Sequence, residues 1–280
     1  MKKYLPTAAL AAVLVIALSG CSKPTDAPAI LATAASAPAP AIAPDLKVAI
    51  DPTYEPFSFK TADGKPTGFD IGIALAICAE IKRNCVFVEQ VWDSMIPGLM
   101  AKKYDVIISS MGITEERLAQ IDFSDRYYNT PSRIIVKKGT AYDSPASLKG
   151  KRIGVGKSTI QEKYAMGELV PAGVRVVPYD AQDQVYLDIK AGRLDGTVAD
   201  YVEVLGGFLS KPEGANYQAV GPDLYEPKYF GIGVGIGMRK GQDALKAELN
   251  AAIKAIRANG TYKTINDTYF GKFGIDVWGK

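Results

Sequence analysis

The chain has 280 residues, with 33 lysines and arginines against 30 aspartates and glutamates, and it contains no histidine. The lack of histidine excludes a Ser-His-Asp or Cys-His nucleophile and any His-ligated metal, and three cysteines are too few for an all-cysteine zinc site. The near balance of charge does not indicate a nucleic-acid or polyanion partner. We therefore expect no metal, no cofactor and no bound nucleic acid.

The N-terminus has the pattern of a secretory signal. Its apolar run, residues 8–18, is much shorter than the roughly 20 residues that a membrane span needs. Residues 18–21 read Leu-Ser-Gly-Cys, which is a lipobox. Residues 1–20 are therefore predicted to be a signal peptide and Cys21 a lipidated N-terminus that anchors the protein to a membrane of the cell envelope. An ordinary secretory signal, cut at a nearby small residue, is the alternative.

Residues 21–44 consist mostly of alanine and proline after the cysteine, with few charged side chains. Such a segment buries too little apolar surface to order itself, so it is predicted to be a tether. The roughly 235 residues that follow are enough for two domains of about a hundred residues each.

Strand and helix patterns alternate along this longer part. The order strand, helix, strand, helix, strand indicates a parallel sheet covered on both faces, and the same order starts again after residue 150. The predicted strands are residues 46–50, 86–88, 106–108, 133–136, 152–155, 174–177, 196–199 and 232–238. The predicted helices are residues 71–81, 92–100, 159–169, 181–191, 243–258 and 261–270.

The last two predicted helices are more than a second lobe of this length would contain, so they are expected to pack on the first lobe. The chain would then cross between the lobes twice, near residues 129–132 and 228–231, and a paired crossing is a hinge candidate. Lobe 1 is thus predicted over residues 45–130 plus 231–280, and lobe 2 over residues 131–230.

The turn after the third predicted strand combines hydroxyls, a glycine and one arginine. Thr114 is predicted to cap a helix, which places Arg117 near free backbone N–H groups at the positive end of the helix dipole. Gly112 lets the backbone approach a ligand, and Ser109 and Ser110 supply oxygens for an ammonium group. Together these groups suit both ends of an α-amino acid. A capped helix with a surface arginine is the alternative.

Ligands of parallel α/β sheets bind at the carboxyl ends of the strands. The other candidate ligand-binding residues that follow predicted strands are Asp51, Tyr54, Trp92, Thr159, Ile160 and Asp200. The backbone at Thr159 and Ile160 can donate to an anion, and Asp200 can accept from an ammonium group. Each has a purely structural alternative, such as a turn residue for Asp51, a core residue for Trp92 and a helix cap for Asp200.

Cys78 and Cys85 lie between a predicted helix and the next strand. In an exported protein such a pair predicts a disulfide, and two unpaired buried thiols are the alternative.

Several of these segments occur together in one family. They are Asp-Pro-Thr-Tyr-x-Pro-Phe at 51–57, Gly-Phe-Asp at 68–70, Ser-Ser-Met-x-Ile-Thr-x-x-Arg at 109–117, Gly-Arg-Leu-Asp at 192–195 and Asn-Gly-Thr-Tyr at 259–262. On these segments the chain resembles, over about residues 45–278, the periplasmic solute-binding proteins of polar amino-acid ABC importers (family 3), in particular the lysine/arginine/ornithine-binding and histidine-binding proteins.

The resemblance implies an α/β type II periplasmic binding protein fold, in which two Rossmann-like lobes joined by a two-strand hinge close over a ligand. By position, Arg117 and the amides of Gly112 and Ile160 would bind the α-carboxylate. Asp200 and Ser110 would bind the α-ammonium.

By the same correspondence, Tyr54 and Trp92 would hold the ligand side chain between them, and Asp51 and the region of Ser109 would meet its distal charge. The implied protein is a non-enzymatic, monomeric receptor that passes a basic or polar amino acid to an inner-membrane ABC permease.

Two positions depart from the pattern. Gly112 stands where the relatives carry serine, and Ile160 stands where they carry threonine, so two side-chain hydroxyls are missing. Other functions also remain open: a cyclohexadienyl dehydratase-like enzyme on the same fold, which needs a general acid in the cleft, and an extracytoplasmic ligand sensor.

Overall fold

The computed structural model describes residues 44–278. The predicted signal peptide, the lipidation site at Cys21 and nearly all of the predicted tether lie outside the described residues.

The secondary structure alternates as the sequence patterns predict, with additional short elements. The strands are β1 (Leu46–Ile50), β2 (Phe59–Lys60), β3 (Pro66–Thr67), β4 (Cys85–Glu89), β5 (Val106–Ile107), β6 (Asp122–Tyr128), β7 (Ser132–Lys137), β8 (Arg152–Gly156), β9 (Arg175–Tyr179), β10 (Gly196–Asp200), β11 (Tyr217–Leu224) and β12 (Val234–Met238). The helices are α1 (Phe69–Glu80), α2 (Met95–Met100), α3 (Glu115–Leu118), α4 (Ile160–Tyr164), α5 (Gln182–Lys190), α6 (Tyr201–Val204), α7 (Pro227–Phe230), α8 (Asp243–Ala258) and α9 (Thr261–Phe270). Single π-helical turns, Ala165–Leu169 and Leu205–Leu209, extend α4 and α6.

Lobe 1 is built on a five-stranded sheet with the order β4-β1-β5-β12-β6. The strand β1 lies between β4 and β5 and runs parallel to both, whereas β12 runs antiparallel to β5 and β6. The carboxyl ends of β1, β4 and β5 therefore meet at one edge, and the loops after them are brought together there.

Both faces of this sheet are covered by helices. On α8, Leu249, Ala252, Ile253 and Ile256 recur at helical spacing and are buried, so this amphipathic helix packs its apolar face inward beside α1 and α9. Residues of α2 and of the strands form a second apolar cluster on the opposite face.

Lobe 2 is built on a second five-stranded sheet with the order β11-β7-β10-β8-β9. The strands β8, β9 and β10 are parallel, and β7 and β11 are antiparallel to their neighbours. Apolar clusters cover both faces of this sheet as well.

The chain passes between the two sheets twice. Residues 129–131 connect β6 of the first sheet to β7 of the second, and residues 231–233 lead from α7 back to β12. The β12 strand and helices α8 and α9 thus pack on the first sheet, which is the arrangement expected of a two-strand hinge.

A disulfide joins Cys78 at the end of α1 to Cys85 at the start of β4, with an S–S distance of 2.02 Å. The predicted pairing is confirmed, and the alternative of two free thiols is wrong.

The sequence patterns predicted parallel sheets, and that expectation was too simple, because each sheet also contains antiparallel strands. The strands β6 and β11 were not predicted. Both lie at sheet edges, and their exposed faces carry polar and charged residues, as is common where a strand borders solvent. In β11 the pair Gly221-Pro222 additionally has the composition of a turn.

Within residues 44–278, the structure contains no helix that is both long enough and apolar enough to span a membrane.

Candidate functional site

A cleft with a volume of about 390 Å³ lies between the two lobes. Loops after β1, β4 and β5 line it from lobe 1, and loops after β8, β9 and β10 line it from lobe 2. All ten candidate ligand-binding residues of the sequence analysis border this one space: Asp51, Tyr54, Trp92, Ser109, Ser110, Gly112, Arg117, Thr159, Ile160 and Asp200.

Arg117 projects from the short helix α3. As predicted, Thr114 caps this helix by accepting a hydrogen bond from the Arg117 backbone N–H at 3.3 Å. The guanidinium lies over the ring of Trp92, 5.2 Å from its centroid, and donates to the carbonyl oxygens of Gly112 at 3.0 Å and Ser158 at 3.3 Å. Burial lowers the pKa of Arg117 to about 10, so the group is a cation at neutral pH. Stacking and two carbonyl acceptors fix the orientation of this cation in the cleft.

Asp200 ends β10 and begins α6 from the opposite lobe. Its Oδ1 atom accepts from the backbone N–H groups of Val202 at 2.9 Å and Glu203 at 3.1 Å, so the residue does cap a helix. The Thr130 hydroxyl donates to Oδ2. Burial raises the pKa of Asp200 to about 6, and the hydrogen bonds counteract part of that effect. The predicted helix cap is confirmed, and the residue also lines the cleft, so its role in ligand binding stays a prediction.

Asp51 ties two of the strand-end loops together. Its backbone N–H donates to the Ser109 hydroxyl at 3.0 Å, which links the loop after β1 to the turn after β5. Its Oδ1 atom accepts from the hydroxyl of Thr53 at 2.7 Å and from the backbone N–H of that residue at 3.2 Å. Burial raises the pKa of the Asp51 carboxyl, and the Thr53 bonds lower it in part.

Ser110 adopts a left-handed backbone conformation, with φ of 54°. Its hydroxyl donates to Asp70 at 2.9 Å, and Tyr127 donates to the other oxygen of that carboxylate at 2.8 Å. Asp70 is fully buried, and burial raises its pKa to about 7. A left-handed serine costs backbone free energy, and such strain is retained where surrounding groups hold it in place.

The lobe 2 wall contains the start of helix α4. Thr159 caps this helix by accepting from the Glu162 N–H at 3.1 Å, and its hydroxyl donates to the Gly156 carbonyl at 2.6 Å. Ile160 is the first residue of the helix, so its N–H has no acceptor within the helix.

The two aromatic candidates lie in different settings. The Trp92 indole N–H donates to the Ser158 carbonyl at 3.1 Å and so connects the lobes. Tyr54 is held by backbone pairing with Ser58, and its ring stacks on Phe57 with centroids 5.9 Å apart. Trp92 is partly buried against an apolar cluster of lobe 1, and its ring also lines the cleft and reaches the opposite lobe.

Some residues of the cleft were missed by sequence reasoning. Lys157, Asp180 and Gln182 follow β8 and β9, and the same strand-end rule that identified Asp51 would have found them. Gln161 follows Ile160 in the first turn of α4. The role of Asp70 had no comparable signal, because it depends on contact with a distant turn.

The part of the chain that the structure describes contains no group of three or more histidine, cysteine, aspartate or glutamate residues suited to a metal ion.

Two mixed α/β lobes, two crossings between them and a polar cleft at the strand ends define the type II periplasmic binding fold. The chain belongs to family 3 of the bacterial extracellular solute-binding proteins, whose family model matches residues 46–272. The resemblance seen in the sequence motifs is thereby confirmed.

Individual relatives are similar over most of the chain. The sequence is 48% identical over 235 residues to the L-arginine-binding protein of Pseudomonas aeruginosa, covering 84% of this chain and 90% of that protein. It is 43% identical over 249 residues to the histidine-binding periplasmic protein of Salmonella typhimurium, covering 89% of this chain and 94% of that protein. A solved structure of a Salmonella typhimurium periplasmic binding protein with high arginine specificity superimposes with a TM-score of 0.75 at 34% identity, covering 81% of this chain and 100% of that one.

Proposed function

We propose that this protein is a periplasmic receptor that captures a basic L-amino acid and delivers it to an inner-membrane ABC permease. Arginine is the first candidate, followed by lysine, ornithine and histidine. The observation that carries the proposal is that Arg117 and Asp200 line one cleft from opposite lobes. A zwitterion satisfies both charges only when the lobes are closed, so binding and closure are coupled.

The α-carboxylate of the ligand is assigned to Arg117 and to the backbone N–H groups of Gly112 and Ile160. A planar guanidinium matches the two oxygens of a carboxylate, and the start of α4 adds a donor that lacks an intrahelical partner. The α-ammonium is assigned to Asp200 and Ser110.

The ligand side chain is assigned to the space between Tyr54 and Trp92, with its distal cation near Asp51 and Ser109. Asp51 is 8% exposed, and its Oδ1 atom accepts from the hydroxyl and the backbone N–H of Thr53. A buried carboxylate with spare acceptor capacity favours a cationic ligand group. The names of the arginine-binding and histidine-binding relatives support the same ligand class.

The proposal includes the parts of the chain outside the described residues. Residues 1–20 would be removed as a signal peptide, Cys21 would carry lipid, and residues 21–44 would tether the folded receptor to the membrane. Within the folded part, lobe 1 comprises residues 45–130 plus 231–280, lobe 2 comprises residues 131–230, and the receptor acts as a monomer. Mass spectrometry of the exported protein tests the anchor, because an unmodified N-terminus at any other residue would contradict lipidation at Cys21.

Calorimetric titration with the basic amino acids tests the receptor function. Arginine should bind in the micromolar range or tighter, and Arg117→Lys should weaken it about 10- to 100-fold, because lysine lacks the planar two-pronged donor. Asp200→Asn should weaken it by a similar factor. Lys263→Gln, which removes a charge on α9 away from the cleft lining, serves as the control. Absence of heat with all twenty amino acids and ornithine would contradict the proposal.

The enzyme alternative is tested on the same preparation. A dehydratase needs a general acid that touches the substrate. Asp70 has a raised pKa, but its carboxyl is fully buried and does not line the cleft. Asp51 and Asp200 line the cleft and also have raised pKa values, but both are assigned above to cationic groups of the ligand and neither to proton transfer. Incubation with prephenate or arogenate is therefore expected to give no product.

A further inference from the structure

Among residues 44–278, three ion pairs connect the lobes, and the charges are arranged in the same way in all three. In each pair the carboxylate belongs to lobe 1 and the lysine to lobe 2. The pairs are Glu55 with Lys211 at 2.6 Å, Asp93 with Lys157 at 3.2 Å, and Glu116 with Lys163 at 2.9 Å. We call these three pairs the interlobe clasp.

The three carboxylate residues of the clasp are adjacent in the chain to the lining of the ligand cleft. Each is the chain neighbour of a residue that lines it. These neighbours are Tyr54 beside Glu55, Trp92 beside Asp93, and Arg117 beside Glu116. The clasp therefore lies at the positions where a movement of one lobe relative to the other changes the cleft most directly.

The lobes are in close contact beside the clasp. A β-carbon built on Gly206 of lobe 2 would lie 2.9 Å from Cδ of Pro56, and one built on Gly207 would lie 3.0 Å from the carbonyl oxygen of Glu55. On the other side of the cleft, the Ser158 carbonyl accepts from lobe 1 donors at 3.1 and 3.3 Å. Separation of the lobes would break these contacts together with the ion pairs.

We propose that the lysines of the clasp are positioning residues for ligand binding, which raise affinity by stabilising the closed arrangement without touching the ligand. The inference rests on the proposed receptor function. A ligand that needs both lobes binds a competent closed state, and its apparent dissociation constant falls as the populated fraction of that state rises. The six charged side chains are 39% to 67% exposed, so dissolved salt screens their attraction.

The test uses the two clasp lysines that do not line the cleft. In the full chain, Lys163→Gln with Lys211→Gln should weaken arginine binding about fivefold at low ionic strength, since two exposed pairs are lost. At about 0.5 M sodium chloride the difference from the unaltered protein should fall below about twofold.

A matched control removes the same amount of charge without affecting the interface. Lys60 pairs with Glu89, and Lys263 pairs with Asp267 on α9, so both pairs lie within lobe 1 and away from the cleft lining. The variant Lys60→Gln with Lys263→Gln should bind arginine as the unaltered protein does at both salt concentrations. A charge exchange, Glu116→Lys with Lys163→Glu, should restore most of the affinity that Lys163→Glu alone removes.

The inference is overturned if the clasp variant binds arginine as tightly as the control at low salt, or if it loses the same factor at both salt concentrations. If none of the proteins binds any basic amino acid, the receptor proposal fails and the clasp is judged on lobe separation alone. Small-angle X-ray scattering should then give a larger radius of gyration for the clasp variant than for the control at low salt. Equal radii would reject the clasp.

Discussion

Gly112 and Ile160 face each other across the cleft so closely that a β-carbon added to Gly112 would lie 3.4 Å from Cδ1 of Ile160. The same β-carbon would lie 3.5 Å from Nη1 of Arg117. A methyl-sized group fits these distances, but a larger side chain meets an aliphatic surface or the guanidinium. The two departures from the family pattern are therefore a contacting pair, in which a larger apolar residue on one lobe faces a glycine on the other.

Gly112→Ser alone should weaken arginine binding about three- to tenfold, because the added hydroxyl lies next to the Arg117 guanidinium and would compete with the ligand carboxylate for it. Ile160→Thr alone should weaken binding by a similar factor through lost apolar contact. The double variant should lose less than the product of the two factors, with a coupling of about 0.5 kcal/mol or more, as expected of residues in contact. Calorimetry on all four proteins measures this coupling, and strictly additive losses would show that the two positions act independently.

Asp51→Asn should weaken arginine binding by more than about tenfold, because a distal cation loses its charged acceptor. The amide still accepts from Thr53, so the loop is kept in place. A neutral amino acid such as glutamine, titrated on the same variant, should change much less. Equal losses for arginine and glutamine would remove Asp51 from distal recognition.

Arginine affinity should fall as pH decreases from 7 to 5. Burial raises the pKa of Asp200 to about 6, so in this range its carboxylate takes up a proton and loses attraction for an ammonium group. Calorimetry at several pH values follows the change. Asp200→Asn should bind weakly with little pH dependence, and a pH profile identical to that of the unaltered protein would assign the titration to another group.

The stability of the ligand-free protein should have the opposite pH dependence: it should increase as the pH decreases. Burial raises the pKa of Asp70 to about 7 from an ordinary value of 3.8, so between these limits the folded protein binds a proton that the unfolded chain has released. The free energy of unfolding therefore decreases as pH rises through this range, by about 1 to 3 kcal/mol between pH 5 and 8. Urea unfolding at both pH values checks the sign. Asp70→Asn should reduce the difference, whereas stability that rises with pH would contradict the assignment.

Sequence reasoning was most successful where a signal is local. The cap at Thr114, the buried strand Leu46–Ile50 and the helix Asp243–Ala258 all follow from spacing within a few residues. The rule that ligands bind at the carboxyl ends of strands also worked well, since all ten candidate residues line one cleft. It works because the topology of a sheet determines which loops are neighbours.

Features that depend on distant contacts were not predictable in this way. The left-handed conformations of Ser110 and Ser158 are unusual for serine, and nothing in the adjacent residues indicates them. Ser110 is held by Asp70, forty residues earlier in the chain, and the Ser158 carbonyl meets donors from the opposite lobe. The interlobe ion pairs were not predictable for the same reason, since the sequence around each lysine does not indicate its partner in the other lobe.

Removal of the disulfide with Cys78→Ala and Cys85→Ala should lower the free energy of unfolding by about 2 to 3 kcal/mol, the amount that the closure of so short a loop contributes. Arginine affinity should remain within about twofold of the unaltered protein, because neither cysteine lines the cleft. Urea unfolding with and without dithiothreitol provides the control: the reductant should destabilise the unaltered protein and leave the double variant unchanged. If reduction does not affect the unaltered protein, the crosslink contributes nothing to stability and its role in holding α1 to β4 is rejected.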